Sequence, residues 1–180
     1  DAFLVALGFL IFGSQIWVIR LVQTTLYLST IIATVLAGRL AFNSWNVGIF
    51  SGFFLAIPTV NVTLYTTASL GGYGEALLIG SLLLVVYFWL NRLVPEKFER
   101  FSFKILTAFG LWGMLAGIGF WANGITLVFS MPSGLGMLAV LIRHWRLGRA
   151  KWIYILPIVA ISGFFIGSMP WWLSILQNGL

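Results

Sequence analysis

Acidic residues are so scarce in this chain that each position is informative: there are four among 180 residues. Glu96 and Glu99 sit beside Lys97, Arg100 and Lys104, where a solvated, mixed-charge loop explains them. Asp1 and Glu75 have no basic neighbour in sequence. Glu75 closes the run Leu70-Gly71-Gly72-Tyr73-Gly74-Glu75, a polar turn between two long apolar stretches. A carboxylate beside hydrocarbon with no local partner marks a functional candidate, because leaving it bare there costs several kcal/mol. Two carboxylates from different loops can hold a divalent cation through oxygen, or serve as a base and its orienting partner. Arg20, one turn inside an apolar run, can reach a lipid phosphate, or snorkel to the interface on its aliphatic stem. Tyr73, Trp121 and Asn123 complete the polar and aromatic set as candidate substrate contacts. For each, interface anchoring or turn formation is the competing reading. For Glu75 that competitor is a helix N-terminus, where a carboxylate is also favoured.

Other chemistries are excluded by composition. Cysteine is absent and His144 is the one histidine, so thiolate nucleophiles, cysteine metal sites and histidine-rich metal sites are unavailable within this stretch. The net charge of +6 and pI near 10.2 do not point to nucleic acid. The bases fall in short clusters between apolar runs, which is how membrane orientation is written.

The elements that must position these residues are membrane helices. At 61% hydrophobic, 8% charged and a mean hydropathy of +1.04, the chain cannot cover a soluble globule with polar surface. The reading is all-α, a polytopic transmembrane bundle of about six spans with a short N-terminal interfacial helix. Asp1 to Phe12 is too short to cross, about 18 Å against a core of about 30 Å. The expected spans are Ile16 to Ala37, closed by Gly38-Arg39; Val47 to about Thr67, containing Pro58; Ala76 to about Leu93; Ile105 to Ala122; Ile125 to Ile142, interrupted at Ser130 to Gly134; and Trp152 to about Ser168. The sixth ends in the aromatic anchor Met169-Pro170-Trp171-Trp172. The sequon Asn61-Val62-Thr63 lies inside an apolar run and carries no weight. Gly110, Gly113, Gly117 and Gly119 recur at helical spacing, which lets helices approach closely in lipid.

Nine of the ten bases fall on one side of this topology and only Arg20 on the other. The bias of bases toward the cytoplasm therefore puts Asp1, Arg20, Glu75, Trp121, Asn123 and the Trp171-Trp172 end on the extracytoplasmic face. With no initiating methionine and no basic leader, residues 1 to 180 read as a single membrane domain, part of a longer protein truncated at both ends.

Five segments together resemble a known family: Phe12-Gly13-Ser14-Gln15-Ile16-Trp17-Val18-Ile19-Arg20-Leu21, Ala37-Gly38-Arg39-Leu40-Ala41-Phe42, Gly71-Gly72-Tyr73-Gly74-Glu75, Gly119-Phe120-Trp121-Ala122-Asn123 and Gly167-Ser168-Met169-Pro170-Trp171. They are similar to the membrane core of bacterial GT-C glycosyltransferases, relatives of the protein O-mannosyltransferases and the lipid A aminoarabinose transferases. The resemblance implies inverting transfer of a sugar from a polyprenyl-phosphate donor to an acceptor at the outer face of the inner (plasma) membrane. It implies a catalytic acid residue in a first outer loop ending about where this chain starts. Asp1 would be the last acidic residue of that loop, with the main catalytic loop upstream. Glu75 then occupies the next outer loop, where some members carry a paired acidic motif for metal. A single Glu stands here, so the divalent metal stays open, as do the sugar and the acceptor. The alternative reading is a membrane transporter or channel subunit, with the broken segment Ser130 to Gly134 and an interior carboxylate forming its pathway.

Overall fold

The computed structural model describes residues 2–57, 60, 71–94, 102–146 and 151–178. All regular structure among them is helical: α1 Ala2–Phe12, α2 Ile16–Phe42, α3 Trp45–Ala56, α4 Tyr73–Leu93, α5 Phe103–Ala122, α6 Leu127–Arg146, α7 Ile155–Gly167 and α8 Met169–Asn178, with 3₁₀ turns at Gly124–Thr126 and Lys151–Tyr154.

Large apolar side chains cover the outside. Leu10 is 84% exposed, Phe54 73% and Val128 68%, a surface that water does not tolerate and lipid does. Four helical segments are long and apolar enough to cross a membrane: α2, α4, α5 and Gly124–Arg146. A fifth is obtained if the bent pair Trp152–Gly167 and Met169–Gln177 is one span.

Of the expected six spans, four or five are found among the described residues. The second expected span is represented by α3, 12 residues long; most of its remainder, including Pro58 and the sequon, lies outside the described residues. The last expected span, Trp152 to about Ser168, ends where expected: the helix stops at Gly167 and the chain bends by 56° into α8, so spanning length is reached only if the bent pair is one span. Pro170 has no N–H to donate to the carbonyl four residues back, which removes one backbone bond at the bend. Ser168 restarts the helix: its carbonyl accepts from the Trp171 and Trp172 amides, and its hydroxyl accepts from the Trp172 indole at 2.9 Å.

Helix α2 also departs from expectation by running through Gly38-Arg39 to Phe42. Gly38 is used for packing. A Cβ there would lie 3.1 Å from the Gly48 Cα, and one at Gly48 would lie 2.5 Å from the Val35 carbonyl oxygen. The turn falls instead at Asn43, whose left-handed φ of 54° closes α2, a conformation asparagine tolerates. The phenol of Tyr27 donates to the Leu55 carbonyl and ties α2 to α3.

The expected interruption in α6 is absent. Pro132 removes one backbone hydrogen bond in the second turn, and the helix continues through Ser130–Gly134. The Ser133 hydroxyl donates to the Phe129 carbonyl at 2.7 Å and accepts from the Trp112 indole at 3.1 Å, pinning α6 to α5. Ser133→Ala removes the partner of that part-buried indole N–H and is expected to lower stability by about 1 kcal/mol, read from thermal unfolding in detergent.

The tightest contact joins α5 and α7. A Cβ on Gly113 would sit 2.0 Å from the Ala160 carbonyl oxygen, and one on Gly117 2.2 Å from that of Phe164. From the other side, Gly163 and Gly167 would meet the carbonyls of Gly110 and Met114 at 2.5 and 2.2 Å. The two backbones touch along this seam, which no other residue type permits. Helix α6 packs on α4 differently, by rings in glycine notches: Phe129 against Gly80 and Tyr87 against Gly136.

Helix α1 folds back on α2. Gly8 abuts Val18 and Val22, and Leu4 shares a cavity wall with Leu26, the register of an antiparallel hairpin turned at Gly13-Ser14-Gln15. Because Gln23 and Leu26 meet Gly74 at the start of α4, the stretch of α2 before Gln23 extends about 10 Å past that end of α4.

Candidate functional site

The chain reverses twice at one end of the bundle, and the two reversals are clasped. Gly71 and Gly72 both take positive φ, 63° and 78°, which glycine alone adopts without strain. The Asn123 amide donates to the Gly71 carbonyl at 2.6 Å, and its side-chain oxygen accepts from the Ile125 amide at 2.9 Å. A Cβ on Gly72 would press to 3.1 Å from the Ala122 carbonyl. One asparagine thus holds the turn before α4 against the turn after α5. Asn123→Ala removes both bonds and is expected to cost about 1–2 kcal/mol, while Asn123→Asp keeps the bond from Ile125; thermal unfolding of the two variants separates these contributions.

Immediately past this clasp Glu75 occupies the first turn of α4 and is 7% exposed. Its Oε2 lies 3.8 Å from where a Cβ on Gly72 would be, so the carboxylate folds back over the N-terminal turn. The positive end of the helix dipole favours a negative charge there. Glu75 lines a cavity of about 520 Å³ together with Ala2, Leu4, Leu26, Ile118 and Trp121. The walls are otherwise apolar and suit a hydrocarbon chain or ring, while both Glu75 carboxylate oxygens are themselves buried in the cavity wall.

The residues singled out from the sequence separate into groups. Glu75 and Trp121 share this cavity. Asn123 braces its rim without lining it. Tyr73 is half-buried as the first residue of α4 and does not line the cavity. Arg20 is exposed and also outside the lining. It lies about 110° around α2 from the centre of the stripe formed by Val18, Gln23, Leu26, Thr30, Ala33 and Ala37. Asp1 lies outside the described residues; the next residue, Ala2, is part of the cavity wall. Trp171 and Trp172 belong to the same end, where Trp171 packs edge-on to Phe120 at 5.3 Å.

Sequence reasoning passed over Gln23. It is 3% exposed in the middle of an apolar helix, and its side-chain oxygen lies 2.9 Å from the Cβ position of Gly74, next to Glu75. A lone amide within a membrane span is itself a signal, masked here by the neighbouring Thr24 and Thr25, whose hydroxyls bond back to their own helix.

Glu75 is the one acidic side chain among the described residues, and they hold no group of three or more His, Cys, Asp or Glu side chains. A hard cation calls for several oxygen ligands, and the described residues bring one carboxylate to this end.

These features define a membrane-embedded, multi-pass helical protein with a buried carboxylate in the wall of an apolar cavity at one end. Compared with known protein families, curated proteins and solved structures, the chain gives no match.

Proposed function

We propose that this chain is the membrane core of a GT-C-type glycosyltransferase, moving a sugar from a polyprenyl-phosphate donor to an acceptor at the extracytoplasmic face of the plasma membrane. The observation that supports it is the placement of Glu75 on an otherwise apolar cavity of about 520 Å³ that Trp121 also lines. A lipid-linked sugar needs both parts: apolar walls for the isoprenoid and a polar group at the reacting end. In this reading Glu75 accepts the proton of the acceptor nucleophile as it attacks the anomeric carbon, and the lipid phosphate departs with the bonding pair. Trp121 offers its ring face to the sugar. In this reading Asp1, next to the cavity-lining Ala2, is a second acid, and Arg20 in the first turns of α2 is the cation for the lipid phosphate.

The alternative of a transporter or channel drew on a broken helix at Ser130–Gly134 and on an interior carboxylate, a part that the buried Glu75 could still play. The segment Ser130–Gly134 is continuous α-helix, and Ser133 in it accepts from the Trp112 indole.

The test is transfer of radiolabelled sugar from polyprenyl-phosphate donors by the full-length protein in membranes. Label in an acceptor with at least one donor supports the reading; no transfer from any donor class contradicts it.

A further inference from the structure

The opposite end of the bundle carries a second hollow, of about 580 Å³, between the end of α2 and the end of α4. Its lining is Leu40, Ala41, Asn43, Phe88, Asn91 and Arg92. We propose that it binds the phosphodiester headgroup of an anionic phospholipid, independently of any sugar transfer.

Three observations carry this. Arg92 is held in place: its Nε donates to the Leu40 carbonyl and one terminal nitrogen to the Arg39 carbonyl, both at 2.9 Å. Those bonds use two of the five guanidinium N–H groups, so an immobilised cation retains donors at the hollow. The second observation is the pair of amides, Asn43 and Asn91, on the same lining. Guanidinium and amide groups lining one space suit phosphate oxygens, with the fork of arginine giving the strongest bonds. The third is position. The hollow lies where α2 and α4 end, and Phe88 and Leu40 line it beside the polar groups, as an amphiphile requires. Arg39 stacks on Trp45 at 3.8 Å beside it and adds positive potential. The acidic residues that follow Arg92 in sequence, Glu96 and Glu99, lie outside the described residues. Basic pockets between membrane helices are where anionic headgroups are held.

The test is native mass spectrometry of the purified full-length protein, titrated with phosphatidylglycerol or with phosphatidylcholine of matched chains. The variant is Asn43→Gly with Asn91→Ala. It removes both amides, changes no charge, and keeps the left-handed φ at position 43 and the helix at 91. The expected result is saturable binding of phosphatidylglycerol, at least tenfold tighter than phosphatidylcholine, and about tenfold weaker in the double variant. Equal binding of the two lipids overturns the proposal. So does undiminished binding by a folded double variant, which would assign the attraction to the diffuse charge of the basic loops. Competition by inorganic phosphate at concentrations comparable to the lipid would reassign the site to a soluble anion. Arg92→Lys, which keeps the charge and loses the fork, is expected to weaken binding severalfold while the protein stays folded.

Discussion

Replacing Glu75 by Gln in the full-length protein is expected to lower sugar transfer from a polyprenyl-phosphate donor by about 10²–10⁴-fold, the range that a general base contributes. The amide keeps the size of the side chain and can still fold back over Gly72, so the amount and melting behaviour of the protein should change little. That separation decides between the two roles the position allows. If Glu75 serves only the first turn of α4, neutralising it removes a dipole interaction of about 0.3–1 kcal/mol and leaves turnover intact. If it takes the acceptor's proton, turnover collapses at unchanged stability. Glu75→Asp should fall between, because the retained carboxylate is withdrawn by one methylene from a fixed cavity wall.

A second large effect is structural. Gly113→Ala should destabilise the bundle by about 3 kcal/mol, at the upper end of what overpacking usually costs, and Gly113→Leu should prevent accumulation of folded protein. The reason is where the added carbon must go. It would lie 2.0 Å from the Ala160 carbonyl oxygen and 2.8 Å from its carbon, both backbone atoms of α7 that no rotamer change can move. The seam also repeats from the other side at Gly163 and Gly167, so separating the helices at one point strains its neighbours. Gly124→Ala is the control. Nothing lies within 4 Å of its Cβ position and its φ is not positive, so it should stay within about 0.5 kcal/mol of wild type. Size-exclusion profiles and thermal unfolding in detergent distinguish the three variants.

Legibility in the sequence followed the local signals. The boundaries of α4 and α5 could be read because Gly71-Gly72 and Asn123-Gly124 bracket them, and each pair is a turn for a physical reason visible in the residues. The glycine seam of α5 was readable as a close-packing face, but its partner was not, since nothing in Gly110, Gly113 and Gly117 names α7. Gly38-Arg39 misled for a related cause. Glycine marks either a turn or a close approach, and only the proximity of Gly48 shows that it is the latter. Pro132 misled in the same way, because the serine and tryptophan that accommodate it come from two different helices. The hairpin of α1 on α2 was not legible, as Ala2–Phe12 is apolar on every side and offers no face to assign.

The site was legible in part. The scarcity of acids singled out Glu75, and its turn predicted the N-terminus of α4. That Trp121 would share its cavity depended on the reversal of α5 beside α4. Gln23 required knowing which face of α2 meets Gly74. For Arg20, types and order alone could not distinguish a residue aimed at a phosphate from one on the outer side of its helix.

The central claim is that the cavity beside Glu75 receives a lipid-linked sugar, and photo-crosslinking tests it most directly. The full-length protein in membranes would be irradiated with a polyprenyl-phosphate sugar carrying a diazirine on the isoprenoid nearest the phosphate, and the adducts mapped by mass spectrometry. The account predicts labelling of the cavity wall, at Leu26, Leu78, Ile118 or Trp121, suppressed by excess unmodified donor. Specific labelling confined to other surfaces, or labelling of these residues that excess donor leaves unchanged, would contradict it.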